Sequence, residues 1–218
     1  MAEVKIINNI SEAGLSIVRN AGYELSREPE APVGIYMRST PIHDYKFNRE
    51  LLAISRSGVG VNNIPVDRCT KEGIAVFNTP GGNANGVKEL TIAAMILIAR
   101  DILGSMKWVH SLKGTDAEMT ELMENGKVKF VGPEIEGKTL GVIGLGNVGS
   151  RVANAALDLG MTVYGYDPYL SVDAAWKVSK NVTRIESLEA MLPMCDYVTL
   201  HPTLTGETRG MINERTIG

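Results

Sequence analysis

The sequence predicts an α/β chain organised as two successive domains, each around a parallel sheet. Three observations carry that reading. Short apolar runs alternate with amphipathic stretches, the pattern of parallel strands joined by crossover helices. The pattern breaks off in a polar interval and restarts at Lys138. Glycine makes up 23 of 218 residues, above an average of about 7%. Eleven of these glycines fall in two clusters, Gly58 to Gly86 and Gly137 to Gly149, rather than along a linker.

Taken in order, residues 4–7 read as a first strand. Ser11 caps a helix carrying Leu15, Val18 and Ala21 on one side, which Gly22 ends. Residues 33–37 and 52–55 are further strands. A short helix over 66–72 stops at Gly73, and 74–77 is another strand. Residues 89–106 read as one long helix, apolar on nearly every side in its first half and therefore expected to be buried. The first domain is placed at 1–106. Residues 107–137, with their run of Glu and Lys, read as a linker or arm. The second domain, 138–218, opens with a strand at 138–143, then a helix over 147–159 closed by Gly160, and a strand at 161–166. A weaker strand near 181–183, a helix at 187–192, a strand at 196–200 and the start of a helix near 212–216 follow.

Composition narrows the function. There are 22 Lys and Arg against 25 Asp and Glu, a net charge of −3. A sequence-independent binder of nucleic acid or anionic membrane would be basic, so neither partner is expected. The two cysteines, Cys69 and Cys195, are far apart and suit a reducing compartment with no metal site. The most apolar stretch, residues 90–99, is much shorter than the ~20 residues that span a bilayer. The first ten residues have no basic-then-apolar signal pattern, and the expected location is the cytoplasm.

Gly144-Leu145-Gly146-Asn147-Val148-Gly149 is a G-x-G-x-x-G string. It occurs by chance in glycine-rich chains, but here it follows a predicted strand and opens a predicted helix, the context the motif requires. The first glycine makes the tight turn, the second lets backbone approach a pyrophosphate, and the third lets helix and strand pack closely. The helix N-terminus then offers N–H groups to the phosphates. Asp167 ends the next strand, where an acid hydrogen-bonds the adenosine ribose and repels the 2′-phosphate of NADP. The competing readings are an S-adenosylmethionine site and a structural Asp-Pro turn; strand, glycines, helix and acid in register favour a dinucleotide, NAD.

Ser57-Gly58-Val59-Gly60-Val61-Asn62-Asn63 is a second glycine loop after a strand. It reads equally as an anion nest of backbone N–H groups or as a plain tight turn. Arg38 and Ser39 end another strand and fall on the same carboxyl edge, where ligands of such sheets bind. Of three histidines, His43 and His110 read as surface residues. His201 ends the strand at 196–200; it either shapes the crevice or meets the cofactor, and cofactor contact is favoured over a role as acid or base.

These residues together resemble the NAD-dependent D-2-hydroxyacid dehydrogenases. Residues 140–149, Gly165-Tyr166-Asp167-Pro168, the run Asp196 to His201 and Thr205 to Ile212 are similar to their cofactor domain. The loop at 57–64, Asn78-Thr79-Pro80-Gly81-Gly82-Asn83 and Glu89-Leu90-Thr91 resemble the branch that oxidises D-3-phosphoglycerate. The resemblance runs from about Arg38 to Ile212. It implies two flavodoxin-like/Rossmann domains with the active site between them, and oxidation of D-3-phosphoglycerate to 3-phosphohydroxypyruvate, the entry to serine synthesis. Gly58, Val59 and Gly60 match the loop whose amides hold the substrate carboxylate; Arg38, beside Ser39, matches an arginine at the phosphate end. Lys127 stands near a family arginine that reaches the substrate from the partner subunit, so a homodimer is expected. Gly144, Gly146, Asn147, Val148, Gly149, Asp167, His201 and Pro202 match cofactor contacts.

Two departures stand out: Val59 where a close relative has threonine, and Asn62 where aspartate is usual. The family's catalytic arginine, glutamate and histidine fall beyond residue 218. The second sheet is therefore expected to be incomplete on its C-terminal side, no catalytic residue is named within the chain, and the chain is expected to be an inactive fragment. The alternatives are a dehydrogenase for glycerate, lactate or another 2-hydroxy acid, and a non-catalytic NAD-sensing interaction protein of the same fold.

Overall fold

The computed structural model describes residues 1–217, leaving aside the side chain at 117. The chain divides into two compact units, Met1–Asn83 and Ala84–Gly218. The division falls ahead of the long helical stretch, whereas the sequence pattern sets the first domain's end behind it.

The first unit holds β1 (Glu3–Ile6), α1 (Glu12–Asn20), β2 (Glu24–Ser26), β3 (Gly34–Met37), β4 (Ala53–Arg56), α2 (Val66–Lys71) and β5 (Ala75–Phe77). The strands lie in the order β2-β1-β3-β4-β5, all parallel. Ser11 caps α1 by accepting the Gly14 N–H, and the chain leaves the helix through Gly22 at φ +88°. Ile35, Met37, Ile54 and Cys69 are buried at the centre of its core. The edge strand β2 escapes the sequence pattern. Its three residues Glu24-Leu25-Ser26 carry no apolar run, and its register against Glu3-Val4-Lys5 defines it instead.

The second unit begins with α3 (Ala84–Arg100), α4 (Ile102–Ser111), α5 (Asp116–Gly126) and a 3₁₀ turn, Lys127–Phe130. The single helix expected over 89–106 is thus two. They separate at Asp101, whose backbone turns to φ +41° while its carboxylate caps α4 through the Gly104 N–H. Burial of the first of them is one-sided: Met95 and Ala99 are buried, while Leu90 and Ile98 are 70% and 75% exposed. Ile92 and Met95 of α3 pack into the core beneath the glycine motif. Within the expected linker, Thr115 and Glu118 form a capping box that starts α5. The polar composition there marks a solvated helix rather than irregular chain.

The sheet of this unit comprises β6 (Thr139–Ile143), β7 (Thr162–Tyr166), β8 (Thr183–Arg184) and β9 (Tyr197–Leu200), in the order β8-β7-β6-β9 and all parallel. Its helices are α6 (Gly149–Asp158), α7 (Val172–Ala175), α8 (Leu188–Met191) and α9 (Glu214–Ile217). Strand β6 is buried at Leu140, Val142 and Ile143, as a central parallel strand covered on both faces must be. The chain winds outward from β6 through β7 and β8, then crosses to β9 on the other side of β6. That reversal is where open α/β sheets bind ligands, outside the carboxyl ends of the strands.

Among the described residues, no helix is long and apolar enough to cross a membrane. No group of three or more His, Cys, Asp or Glu among them is placed to hold a metal ion.

Candidate cofactor cavity and anion loop

At the reversal point of the second sheet lies a cavity of about 520 Å³, lined among others by Gly144, Gly146, Asp167, His201, Pro202 and Glu207. The glycines of the turn differ in what surrounds them. Gly144 sits at φ +82°, and a Cβ there would lie 2.7 Å from the Pro202 nitrogen. A Cβ on Gly149 would lie 1.8 Å from the Gly144 carbonyl oxygen. A Cβ on Gly146 would meet nothing within 4 Å. Two glycines are therefore demanded by the protein's own packing, and the middle one leaves an open approach to the backbone. Val148 precedes α6 as its N-cap residue, and Asn147 is exposed on the turn.

Asp167 follows β7. One carboxylate oxygen accepts the Leu145 N–H at 2.8 Å and the other accepts the Tyr169 N–H at 3.0 Å. His201 follows β9; its backbone N–H donates to Ile143 and its Nε2 lies 2.9 Å from the Thr199 hydroxyl. Burial holds this imidazole below its ordinary pKa, so it is neutral at physiological pH. Sequence reasoning missed Lys177, whose ammonium reaches the Asn147 side chain at 3.4 Å and brings a cation to the glycine turn. Nothing in its sequence neighbourhood signals that approach. It also missed Tyr169, whose hydroxyl donates to Glu207 at 2.7 Å.

In the first unit the glycine loop follows β4. The Gly58 N–H is engaged inside the loop, donating to the Thr79 hydroxyl at 2.7 Å and the Arg56 carbonyl at 2.9 Å. The N–H groups of Val59 and Gly60 have no protein acceptor among the described residues. Arg56, not singled out in the sequence, lies against this loop: a Cβ on Gly60 would be 3.1 Å from its guanidinium. Its Nε donates to the Arg38 carbonyl at 2.8 Å. Arg38 and Ser39 are exposed at the end of β3, and their N–H groups, with that of Thr40, converge on the Asn8 side-chain oxygen at 3.1 to 3.3 Å. Asn63, buried at 6%, donates to the Arg38 and Thr40 carbonyls from the other side. Lys127 belongs to the second unit, where it opens the 3₁₀ turn and pairs with Glu124.

The family profile described as "D-isomer specific 2-hydroxyacid dehydrogenase, NAD binding domain" matches residues 92–218, more than half of the chain. The chain belongs to this family. NAD is the cofactor of the family's domain; the cavity's open glycine and strand-end acid, with Lys177 outside its lining but reaching the turn at Asn147, suit a ribose and a pyrophosphate.

Among curated members of this dehydrogenase family, the chain is 36% identical over 181 residues to D-3-phosphoglycerate dehydrogenase of Bacillus subtilis, covering 82% of this chain and 32% of that protein. It is 33% identical over 216 residues to the Homo sapiens protein of the same name, covering 95% and 37%. The chain thus spans about a third of the length of these relatives. The solved structure of NAD⁺-bound 3-phosphoglycerate dehydrogenase from Entamoeba histolytica is similar at a TM-score of 0.74 and 28% identity, over 99% of this chain and 67% of that one.

Proposed function

We propose that the chain supplies substrate- and cofactor-binding groups of an enzyme that oxidises D-3-phosphoglycerate to 3-phosphohydroxypyruvate with NAD, at the start of serine synthesis. The observation that carries the substrate is the loop of the first unit. The unpartnered N–H groups of Val59 and Gly60 suit a carboxylate. The guanidinium of Arg56 beside them and that of Arg38 on the neighbouring strand end add more positive charge than an unphosphorylated hydroxy acid requires. Arginine's forked donors match both carboxylate and phosphate. The names of the curated relatives support the same substrate.

When bound, NAD would supply the acceptor for the hydride from C2 of the substrate. The chain's own residues bind and orient. The turn Gly144 to Gly149 would hold the pyrophosphate and Asp167 the ribose, with Pro202 and His201 in the wall of the cavity. Fixing the reactants in one geometry lowers the barrier by removing the entropy of bringing them together. On this reading the protein works in the cytoplasm as a homodimer, with Lys127 serving the partner's substrate.

Phosphorus NMR titration of the chain with D-3-phosphoglycerate, with D-glycerate and D-lactate as competitors, tests the substrate. The phosphorylated acid is expected to bind at least about tenfold more tightly, the value of one charge-assisted contact. Equal affinity for D-glycerate would instead make the protein a dehydrogenase of an unphosphorylated hydroxy acid.

A further inference from the structure

We infer that Glu207 is a second determinant of cofactor choice, a carboxylate held at the mouth of the cavity by Tyr169 and acting with Asp167 to reject a 2′-phosphate. The inference rests on reading that cavity as the adenosine site. Two carboxylates line it, those of Asp167 and Glu207, and no Lys or Arg is among its lining residues. Neither carboxylate takes part in an ion pair among the described residues. One residue holds both. The Tyr169 N–H donates to Asp167 at 3.0 Å while its hydroxyl donates to Glu207 at 2.7 Å. The hydrogen bond to Glu207, followed by that residue's charge, raises the Tyr169 pKa. The phenol therefore remains a donor well into alkaline pH.

A phosphate monoester carries about −1.5 to −2 charges at neutral pH. Facing two fixed carboxylates, it is repelled twice, whereas a ribose hydroxyl hydrogen-bonds to either. Removing the charge of Asp167 alone leaves half of the barrier standing. Either substitution alone therefore only narrows the preference for NADH, and a full reversal needs both positions.

The test is the ratio of NADPH to NADH affinity, measured by isothermal titration calorimetry on the chain and its Glu207→Gln, Asp167→Asn and doubly substituted forms. Glutamine keeps an oxygen for the Tyr169 hydroxyl and removes only the charge. Glu207→Gln should shift the ratio toward NADPH by about fivefold at low salt, as expected for charges several ångströms apart in partly aqueous surroundings. The same factor should appear on top of Asp167→Asn, and it should shrink in concentrated salt, which screens exposed charges. An unchanged ratio for Glu207→Gln in both backgrounds would overturn the role of Glu207 and leave the cavity's assignment intact. A ratio that responds to neither position, or no binding of NADH by the unsubstituted chain, would overturn the cavity's assignment and Glu207's role with it.

Discussion

The carboxylate of Asp167, at the end of β7, accepts the backbone N–H of Leu145 at 2.8 Å, inside the glycine turn that follows β6. One hydrogen bond therefore joins the glycine turn to the strand-end acid, and their spacing is set before any ligand arrives. A site arranged in advance spends less binding energy on ordering itself. Each carboxylate oxygen also accepts from backbone here, yet retains a second lone pair for a ribose hydroxyl.

Asp167→Ala should consequently do two things. It should narrow the preference for NADH over NADPH, and it should lower stability by about 1–2 kcal/mol, because the Leu145 N–H loses its acceptor. Asp167→Asn, which keeps one oxygen for Leu145 but turns an NH2 toward the Tyr169 N–H, should also narrow the preference while costing less stability than alanine. Thermal denaturation beside calorimetric titration separates the two effects. Equal destabilisation by both variants would mean that the bond to Leu145 does not hold the turn.

The glycines of the turn should separate in the same way. Gly149→Ala places a methyl 1.8 Å from the Gly144 oxygen, so helix and turn must part, at a cost of about 1–3 kcal/mol typical of overpacking. Gly146→Val meets open space and should melt like the natural chain, while its side chain stands where backbone must approach a phosphate. Normal stability with lost NADH binding is the expected result for Gly146→Val, and lost stability for Gly149→Ala. The reverse pattern would assign the roles of the two glycines wrongly.

That contrast shows where the sequence was legible. A tight turn, a close approach and an open backbone each demand glycine, so the string at 144–149 announced its strand–turn–helix context. Strand-end residues such as Asp167 and His201 were legible for a related reason: parallel strands deliver their carboxyl ends to one edge. Contacts made at long sequence separation left no local trace. Arg56 ends its strand as any charged residue can, and only the fold sets its guanidinium against Gly60. Tyr169 and Glu207, 38 residues apart, meet only because the chain crosses from β8 to β9. The break at Asp101 was hidden because apolar residues continue on both sides of it, and a single residue at positive φ divides the helix.

His201 offers a prediction in pH. Burial depresses its pKa in the folded protein, so the unfolded chain takes up a proton first as pH falls below about 6.5. The folded state is therefore undisturbed by this group above that value and loses stability as pH drops toward the depressed pKa. The imidazole proton signals in NMR should titrate with a midpoint below about 6.5, and His201→Asn should remove part of the acid sensitivity of unfolding. A midpoint at or above the ordinary value would contradict a buried, neutral histidine beside Thr199.

Asn8 anchors the turn that follows β3. It occupies φ +73° and its side-chain oxygen takes the N–H groups of Arg38, Ser39 and Thr40. Asn8→Ala should cost about 2 kcal/mol or more, from lost hydrogen bonds and a left-handed backbone on a residue with a Cβ. Asn8→Gly should cost less, since it relieves the backbone. Urea denaturation followed by circular dichroism ranks them, and the opposite ranking would show that backbone strain is negligible there.

Everything proposed for the cofactor rests on the turn at Gly144 to Gly149 forming, with Asp167, a dinucleotide site. Saturation-transfer NMR of NAD with the purified chain, alongside Gly146→Val, is the sharpest test. The expected result is transfer to the adenine and ribose protons of NAD, competition by ADP-ribose, and loss of both in Gly146→Val at an unchanged melting temperature. Equal transfer in the two proteins, or none in the unsubstituted chain, would contradict a dinucleotide site at this turn.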